Sequence, residues 1–337
     1  MSTPSSYRVD DQELLLDFYK KLVWNWLVPR IPARITPNSL TLTGLVCSLS
    51  AAAATFAAWK FAIPWLYFVS AVLLFTYLTL DNVDGAHARR TGQTSHLGEF
   101  LDHGLDGIAS TCVLIIACIV LQMEGVLFAS LCALAGIGFA LIFWEQFRTG
   151  LLVIPRVSST EGVTLLMVVQ TIIAIAGEPV WMRFSLSEVT PGTVIIGAVL
   201  VGYLVASFPP VLRATRAGAS GWELIPLVLL IGAQPVWTLL GASPFFPGFT
   251  AGLIGGAMTC RLIVLRHCGA PGPVLPPGAW LTLLPFIPAV AAPTLWHADG
   301  WAALSLAFIV ADYLRLLFFG GAELNRRGRE RKAQAAG

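Results

Sequence analysis

Apolar residues in this chain gather into ten runs, at roughly 40–59, 63–80, 97–123, 125–143, 162–181, 192–212, 222–241, 247–265, 277–296 and 300–319. Each is near the ~20 residues a helix needs to cross a bilayer. The pattern predicts an all-α, polytopic integral membrane protein with about ten transmembrane helices. Prolines mark the imperfect runs: Pro209 and Pro210 close one, Pro235 interrupts another, and Pro285, Pro288 and Pro293 crowd the run 277–296. Kinks are expected there. Ahead of the first run, residues about 9–31 predict an interfacial amphipathic helix. Leu14, Leu15, Phe18, Tyr19, Leu22 and Trp26 recur on one side, and Glu13, Asp17, Lys20, Lys21 and Asn25 on the other, with tryptophans suited to the headgroup zone. Pro29, Pro32 and Pro37 then break the chain, and Asn38 or Ser39 is expected to cap the first spanning helix.

Composition strengthens this picture. The 337 residues are 56% hydrophobic and 12% charged, against about 25% charged in a soluble domain. A formal net charge of +2, with no basic aromatic groove, excludes nucleic acid as a partner. Cys47, Cys112, Cys118, Cys132, Cys260 and Cys268 form no CxxC pair and read as small buried hydrophobes. The N-terminus is too acidic and polar for a cleaved signal peptide. With that end in the cytosol and ten alternating spans, 18 of the 21 Lys and Arg residues fall on the cytosolic side. Lys60 and Arg183 fall on the other, and Arg315 inside the last helix. This asymmetry is the positive-inside pattern. It puts both termini on the cytosolic side of a bacterial inner membrane or an endoplasmic reticulum.

One stretch departs from the apolar background. Between Asp81 and Asp106 the chain reads DNVDGAHARRTGQTSHLGEFLDHGLD. Asp81 and Asp84 are i, i+3 at the end of the second spanning helix, and Asp102 and Asp106 are i, i+4 at the start of the third. Glu99 and His103 are i, i+4 on an adjoining strip. Two antiparallel helices then present four aspartates to a shared space on the cytosolic side, where Gly85 and Gly98 permit close approach. Four carboxylates at low dielectric require counter-charge. Oxygen-only ligation favours Mg²⁺, Mn²⁺ or Ca²⁺ over zinc, and a pair of ions ~4 Å apart can clamp a diphosphate. A solvated turn, with the aspartates paired to Arg89, Arg90 and the histidines, is the competing reading. Intramembrane carboxylates are usually functional.

The spacing Asp81-x-x-Asp84-Gly85-x-x-Ala88-Arg89, eight residues, Gly98-x-x-x-Asp102-x-x-x-Asp106 resembles the full signature of the CDP-alcohol phosphotransferases. The resemblance implies a site with two Mg²⁺ (or Mn²⁺) ions held by Asp81, Asp84, Asp102 and Asp106. It implies a CDP-linked donor lying against Gly85, Ala88 and Arg89, with Gly98 beside it, and loss of CMP to an acceptor hydroxyl. It also implies a homodimer. Asn38 either caps the first helix or reaches the cytidine diphosphate. The chain divides into a cytosolic segment 1–39, a catalytic helical core 40–215, and further spanning helices with a basic tail, 216–337.

Within the family, the run HARRTGQTSHLGEFLDHGLD is similar to the choline/ethanolamine phosphotransferase branch. So, more loosely, are Pro37 to Thr41, Trp144 to Leu151, Thr160-Glu161-Gly162 and Asp312 to Arg315. That branch implies transfer of phosphocholine or phosphoethanolamine from CDP-choline or CDP-ethanolamine to diacylglycerol in the lipid bilayer. His103, with an ordinary pKa of about 6.5, is the expected base and Glu99 its partner; Asp106 is the rival base. The alternative within the family is a CDP-diacylglycerol-dependent enzyme acting on a soluble alcohol. An intramembrane prenyltransferase would need a second Asp-rich motif, and a cation transporter would hold its carboxylates near the midplane. His87 and His96 read as interfacial polar residues, and His267 and His297 as loop residues without a role. Glu145, Gln146, Arg148 and Glu161 read as a solvated cytosolic loop that borders a substrate entrance at most. Asp312 and Arg315 are expected to form an ion pair, and the small residues of 129–138 and 252–257 to allow close helix packing.

Overall fold

The computed structural model describes residues 8–177, 187, 189–269, 272–291 and 297–336. The helix α1 occupies 16–30, with π and 3-10 turns at its centre and end. The bundle follows as α2 (Pro37–Phe61), α3 (Trp65–Thr91), α4 (His96–Val120), α5 (Gly125–Thr149), α6 (Ser159–Ala176), α7 (Pro191–Arg216), α8 (Gly221–Leu239), α9 (Phe245–Cys268), α10 (Pro277–Ala291) and α11 (Ala298–Glu330). The protein is an all-α, multi-pass membrane protein. Among the described residues, nine helices are long and apolar enough to span; α10 is the exception.

The ninth run, 277–296, folds differently from the other nine. Pro276, Pro277, Pro285 and Pro288 deny backbone donors and force 3-10 turns over Pro277–Leu283 and a short helix over Phe286–Ala291. The segment still passes from one end of the bundle towards the other, antiparallel to α11. Gly278 lies against Asp312, Ser305 donates to the Thr282 carbonyl, and Asp299 accepts from the Ser243 backbone at the far end. The Asp312–Arg315 pair forms as expected, at 2.7 Å. Arg183 and the last residues of the runs 162–181 and 277–296 lie outside the described residues.

Helix α9 is the centre, with 83% of its apolar stretch buried. Its small residues bring neighbouring backbones together. A Cβ on Gly136 of α5 would stand 2.7 Å from the Ala251 carbonyl oxygen, and one on Gly107 of α4 would stand 2.7 Å from Gly256 Cα. The small-residue stretches thus pack within one chain. All six cysteines are free; Cys112, Cys118, Cys132 and Cys260 are buried as expected, whereas Cys47 and Cys268 are partly exposed.

Two features were absent from the sequence pattern. Residues Arg8–Asp11 form a strand, β1, paired in parallel with Leu151–Ile154, β2. Each has four residues, too few for an alternating signal. Beyond β1, Glu13 accepts from Thr160 N and Oγ1 (2.9 and 2.8 Å), Leu15 N donates to Glu161, and Tyr19 meets Thr164. These contacts strap α1 onto α6, whose start is closed by the Ser158/Glu161 capping box. Helix α1 buries Leu16, Tyr19 and Trp24 and leaves Phe18, Leu22 and Trp26 exposed, as is Leu14 just before it. The cap of α2 is Thr36, whose Oγ1 accepts from Ser39 N, in place of Asn38 or Ser39.

Candidate active site

Helix α3 does not stop at the apolar run but continues through the motif to Thr91. Gly92, at φ +68°, closes it in the left-handed conformation that glycine adopts without a Cβ penalty. Ser95 then opens α4 by accepting from Gly98 N at 2.9 Å. This tight turn sets Asp81 and Asp84 on α3 against Asp102 and Asp106 on α4. Asp81 faces Asp106, Asp102 and Asp84. Asp84 is buried and accepts from Thr41 Oγ1 of α2. Asp102, His103 and Asp106 offer ligand atoms within 4.8 Å of one another.

Two spaces adjoin these carboxylates. A water-sized one of about 10 Å³ lies between Asp81, Asp106, Tyr77 and Thr41. A larger cavity of about 520 Å³ is lined by Asp84, Glu99 and Asp102 together with Asn38, Gly85, Ala88, Arg89 and Gly98. The five residues expected to bind substrate therefore line one cavity, from three helices. Arg89 folds back over Gly85, where a Cβ would stand 3.4 Å from its Nη1. A Cβ on Gly98 would stand 3.5 Å from Asn38 Oδ1, so this glycine lets α2 and α4 meet at the rim. Arg89 and His103 face Asp102, and of the two only the guanidinium is a permanent cation. Four convergent carboxylates against that complement leave room in charge for divalent cations with hard oxygen donors. The donor set fits.

Several other residues lie differently from expectation. Glu99 gives both oxygens to the end of α9: Arg266 Nη2 binds Oε1, and His267 Nε2 lies 3.0 Å from Oε2. The expected Glu99–His103 pair is revised accordingly. His103 Nδ1 lies 3.8 Å from Asp106 and 4.0 Å from Asp102. His267 sits in the last turn of α9, not in a loop, and His96 packs its ring 4.0 Å from it. His87 is fully buried. Its Nδ1 accepts from Arg90 and its Nε2 meets the Ile35 carbonyl, which pins the loop before α2. Glu145, Gln146 and Arg148 belong to helix α5, not to a solvated loop, and none of them lines the larger cavity. Glu145 is buried and gripped by Arg213 of α7, and Arg148 pairs with Glu223 of α8.

Three contributors went without a site role in the sequence reading. Arg266 and His267 follow an apolar run, where a basic residue signals orientation. Nothing local separates that duty from a place in a site. Tyr313 of α11 donates its hydroxyl to the Gly104 carbonyl, between Asp102 and Asp106, and fills the notch of Gly107 and Gly256. A Tyr in an apolar run offers no signal beyond the oxygen that burial obliges it to pair.

Residues 34–204 match the family model for CDP-alcohol phosphatidyltransferase. An uncharacterized CDP-alcohol phosphatidyltransferase class-I family protein of Dictyostelium discoideum is 29% identical over 261 residues, 73% of this chain and 63% of that protein. Cholinephosphotransferase 1 of Gallus gallus is 34% identical over 50% of this chain and 52% of its own. Cholinephosphotransferase 1 of Homo sapiens is 31% identical over 50% and 43%. The chain thus aligns with about half the length of these two relatives.

Proposed function

The chain belongs to the CDP-alcohol phosphatidyltransferase family, and from that premise we propose that it transfers a phospho-alcohol headgroup, phosphocholine or phosphoethanolamine, from a CDP-alcohol to diacylglycerol. The observation that carries this reading is the facing set of four aspartates beside a cavity of about 520 Å³ whose wall bears Arg89, Gly85, Ala88 and Asn38. The likeness to cholinephosphotransferases favours a CDP-alcohol donor over CDP-diacylglycerol.

Asp81, Asp84, Asp102 and Asp106 would hold two Mg²⁺ or Mn²⁺ ions, which neutralise diphosphate charge when bound. Gly85 and Ala88 keep the wall low enough for a diphosphate to lie along α3, and the Arg89 guanidinium offers it a bidentate partner. The acceptor hydroxyl attacks the β-phosphorus; its oxygen bonds to phosphorus as the bond to the bridging oxygen breaks, and CMP leaves. His103 takes the proton. The neighbouring Asp102 and Asp106 carboxylates stabilise the imidazolium that results. The motif end of the bundle faces the cytosol in this reading, as the Lys and Arg asymmetry requires.

The test is direct. Purified protein is incubated with Mg²⁺ and radiolabelled CDP-choline or CDP-ethanolamine plus diacylglycerol, and separately with CDP-diacylglycerol plus glycerol phosphate or inositol phosphate. CMP release with a labelled lipid product from either of the first pair supports the proposal. Turnover of CDP-diacylglycerol alone overturns it.

A further inference from the structure

The Glu99 carboxylate lies on the wall of the larger cavity, one turn before Asp102. It is held from outside the segment that matches the family model. Arg266 and His267 are the last-turn residues of α9, 4% and 6% exposed, and each takes one of its two oxygens. An arginine this deeply buried is tolerated only with a well-placed counter-ion. Two contacts on separate oxygens fix both the charge and the plane of a carboxylate, which one contact does not. We propose that Arg266 and His267 are positioning residues for the transfer reaction and act through Glu99, keeping an ionised, oriented carboxylate on the donor cavity.

Other features of the site agree. The C-terminus of α9 is itself clamped, because Arg327 of α11 donates to the Cys268 carbonyl at 2.9 Å. Gly328, one residue on, lines the same cavity. The last third of the chain therefore reaches the donor site through Arg266, His267 and Gly328. His96, Glu99 and His267 bring ligand atoms within 4.8 Å of one another, which by itself resembles a metal site. The guanidinium on Glu99 Oε1 repels a cation and argues for a hydrogen-bonded network instead. The Glu323–Arg326 and Glu323–Arg327 pairs of α11 serve as contrast: they are open to solvent, where such pairs contribute little.

This inference rests on the transferase reading above, and a double-mutant cycle separates the two. Glu99→Gln, Arg266→Gln and His267→Gln are made singly, with the pairs Glu99→Gln/Arg266→Gln and Glu99→Gln/His267→Gln, and CMP release is measured against CDP-alcohol and diacylglycerol concentration. Each single change is expected to lower kcat/KM for the CDP-alcohol roughly 10- to 100-fold, the range for losing a group that orients a functional one. KM for diacylglycerol should stay within about twofold of wild type. In the Glu99→Gln background, the second change should cost almost nothing more. Arg266→Lys should recover part of the loss. If Arg266→Gln fails to fold because it strands a buried carboxylate, the Glu99→Gln/Arg266→Gln pair removes both charges and serves in its place. Its activity should then match Glu99→Gln alone. Additive losses, or losses that track melting temperature with the KM values unmoved, overturn the positioning role and leave the transferase reading intact. A wild type that releases no CMP from either CDP-alcohol overturns both.

Discussion

The notch of Gly107, Gly256 and Tyr313 permits a prediction whose sign is set by geometry. Alanine is intrinsically better than glycine inside a helix by ~1 kcal/mol, so an unobstructed Gly→Ala change would stabilise α4 or α9. Here a Cβ on Gly107 would lie 2.6 Å from the Tyr313 hydroxyl and 2.7 Å from Gly256 Cα. A Cβ on Gly256 would lie 2.5 Å from the same hydroxyl and 3.0 Å from Gly107 Cα. Overpacking costs about 1–3 kcal/mol, which outweighs the helix gain, and a backbone atom yields less readily than a ring. Gly107→Ala is therefore expected to destabilise by about 2 kcal/mol, and to slow CMP release because Asp106 is the adjacent residue. Tyr313→Phe should cost ~1 kcal/mol for its hydrogen bond. It also deletes the oxygen that both alanines strike, while leaving Gly256 Cα 2.7 Å from a Cβ on Gly107. Gly256→Ala/Tyr313→Phe should then be more stable than the sum of its parts by ~1 kcal/mol, and Gly107→Ala/Tyr313→Phe by less, because its backbone clash remains. Thermal melting of detergent-purified protein reads this, on the order of 2 °C per kcal/mol. A Gly107→Ala protein as stable as wild type, or double mutants no more stable than the sum of their parts, refutes the reasoning.

Three further outcomes follow from the site and its supports. Asp102→Asn should abolish CMP release without unfolding the protein, and EDTA should do the same to wild type until Mg²⁺ or Mn²⁺ is restored; release that persists in excess EDTA would remove the metal from the reaction. Thr36→Ala should lower stability by ~1 kcal/mol through loss of the α2 cap, seen in the same melts, whereas Ser39→Ala should cost less because its backbone N–H remains. Burial raises the Glu13 carboxyl above its ordinary value of 4.5, with Asp11 and Glu161 adding to this and the Thr160 hydrogen bonds opposing it. A carboxyl raised in the fold contributes stability that is fully present below its unfolded value and is lost as pH rises through the folded one. Wild type should thus lose more stability than Glu13→Gln as pH rises above 4.5, and parallel melting curves for the two would exclude Glu13 as the cause.

Much of the molecule was legible from periodicity and spacing. Runs of apolar residues found the helices because lipid and core select the same side chains, and α2 to α9 each lie over one run. The motif spacing placed Asp81, Asp84, Asp102 and Asp106 on facing helices because helical geometry turns i, i+3 and i, i+4 into one face. What escaped has physical causes. Prolines in α10 were visible, but a kinked spanning helix and a broken segment share one sequence pattern; packing on α11 decides between them. The β1–β2 pair joins residues about 140 positions apart, beyond the reach of local pattern. The partner of Glu99 was sought one turn away, at His103, since only local neighbours can be read from spacing. Arg266 and His267 reach it from another helix.

Segment α10 also bears on how the protein enters a membrane. Fifteen residues of helix would span about 22 Å, short of the ~30 Å hydrocarbon layer, and the prolines leave carbonyls that lipid cannot satisfy. Alone in a translocation channel, such a segment has little reason to partition sideways. Its companion α11 supplies what it lacks: Ser305 caps the Thr282 carbonyl, and Gly278 admits Asp312. The two are therefore expected to enter the membrane together, as a hairpin.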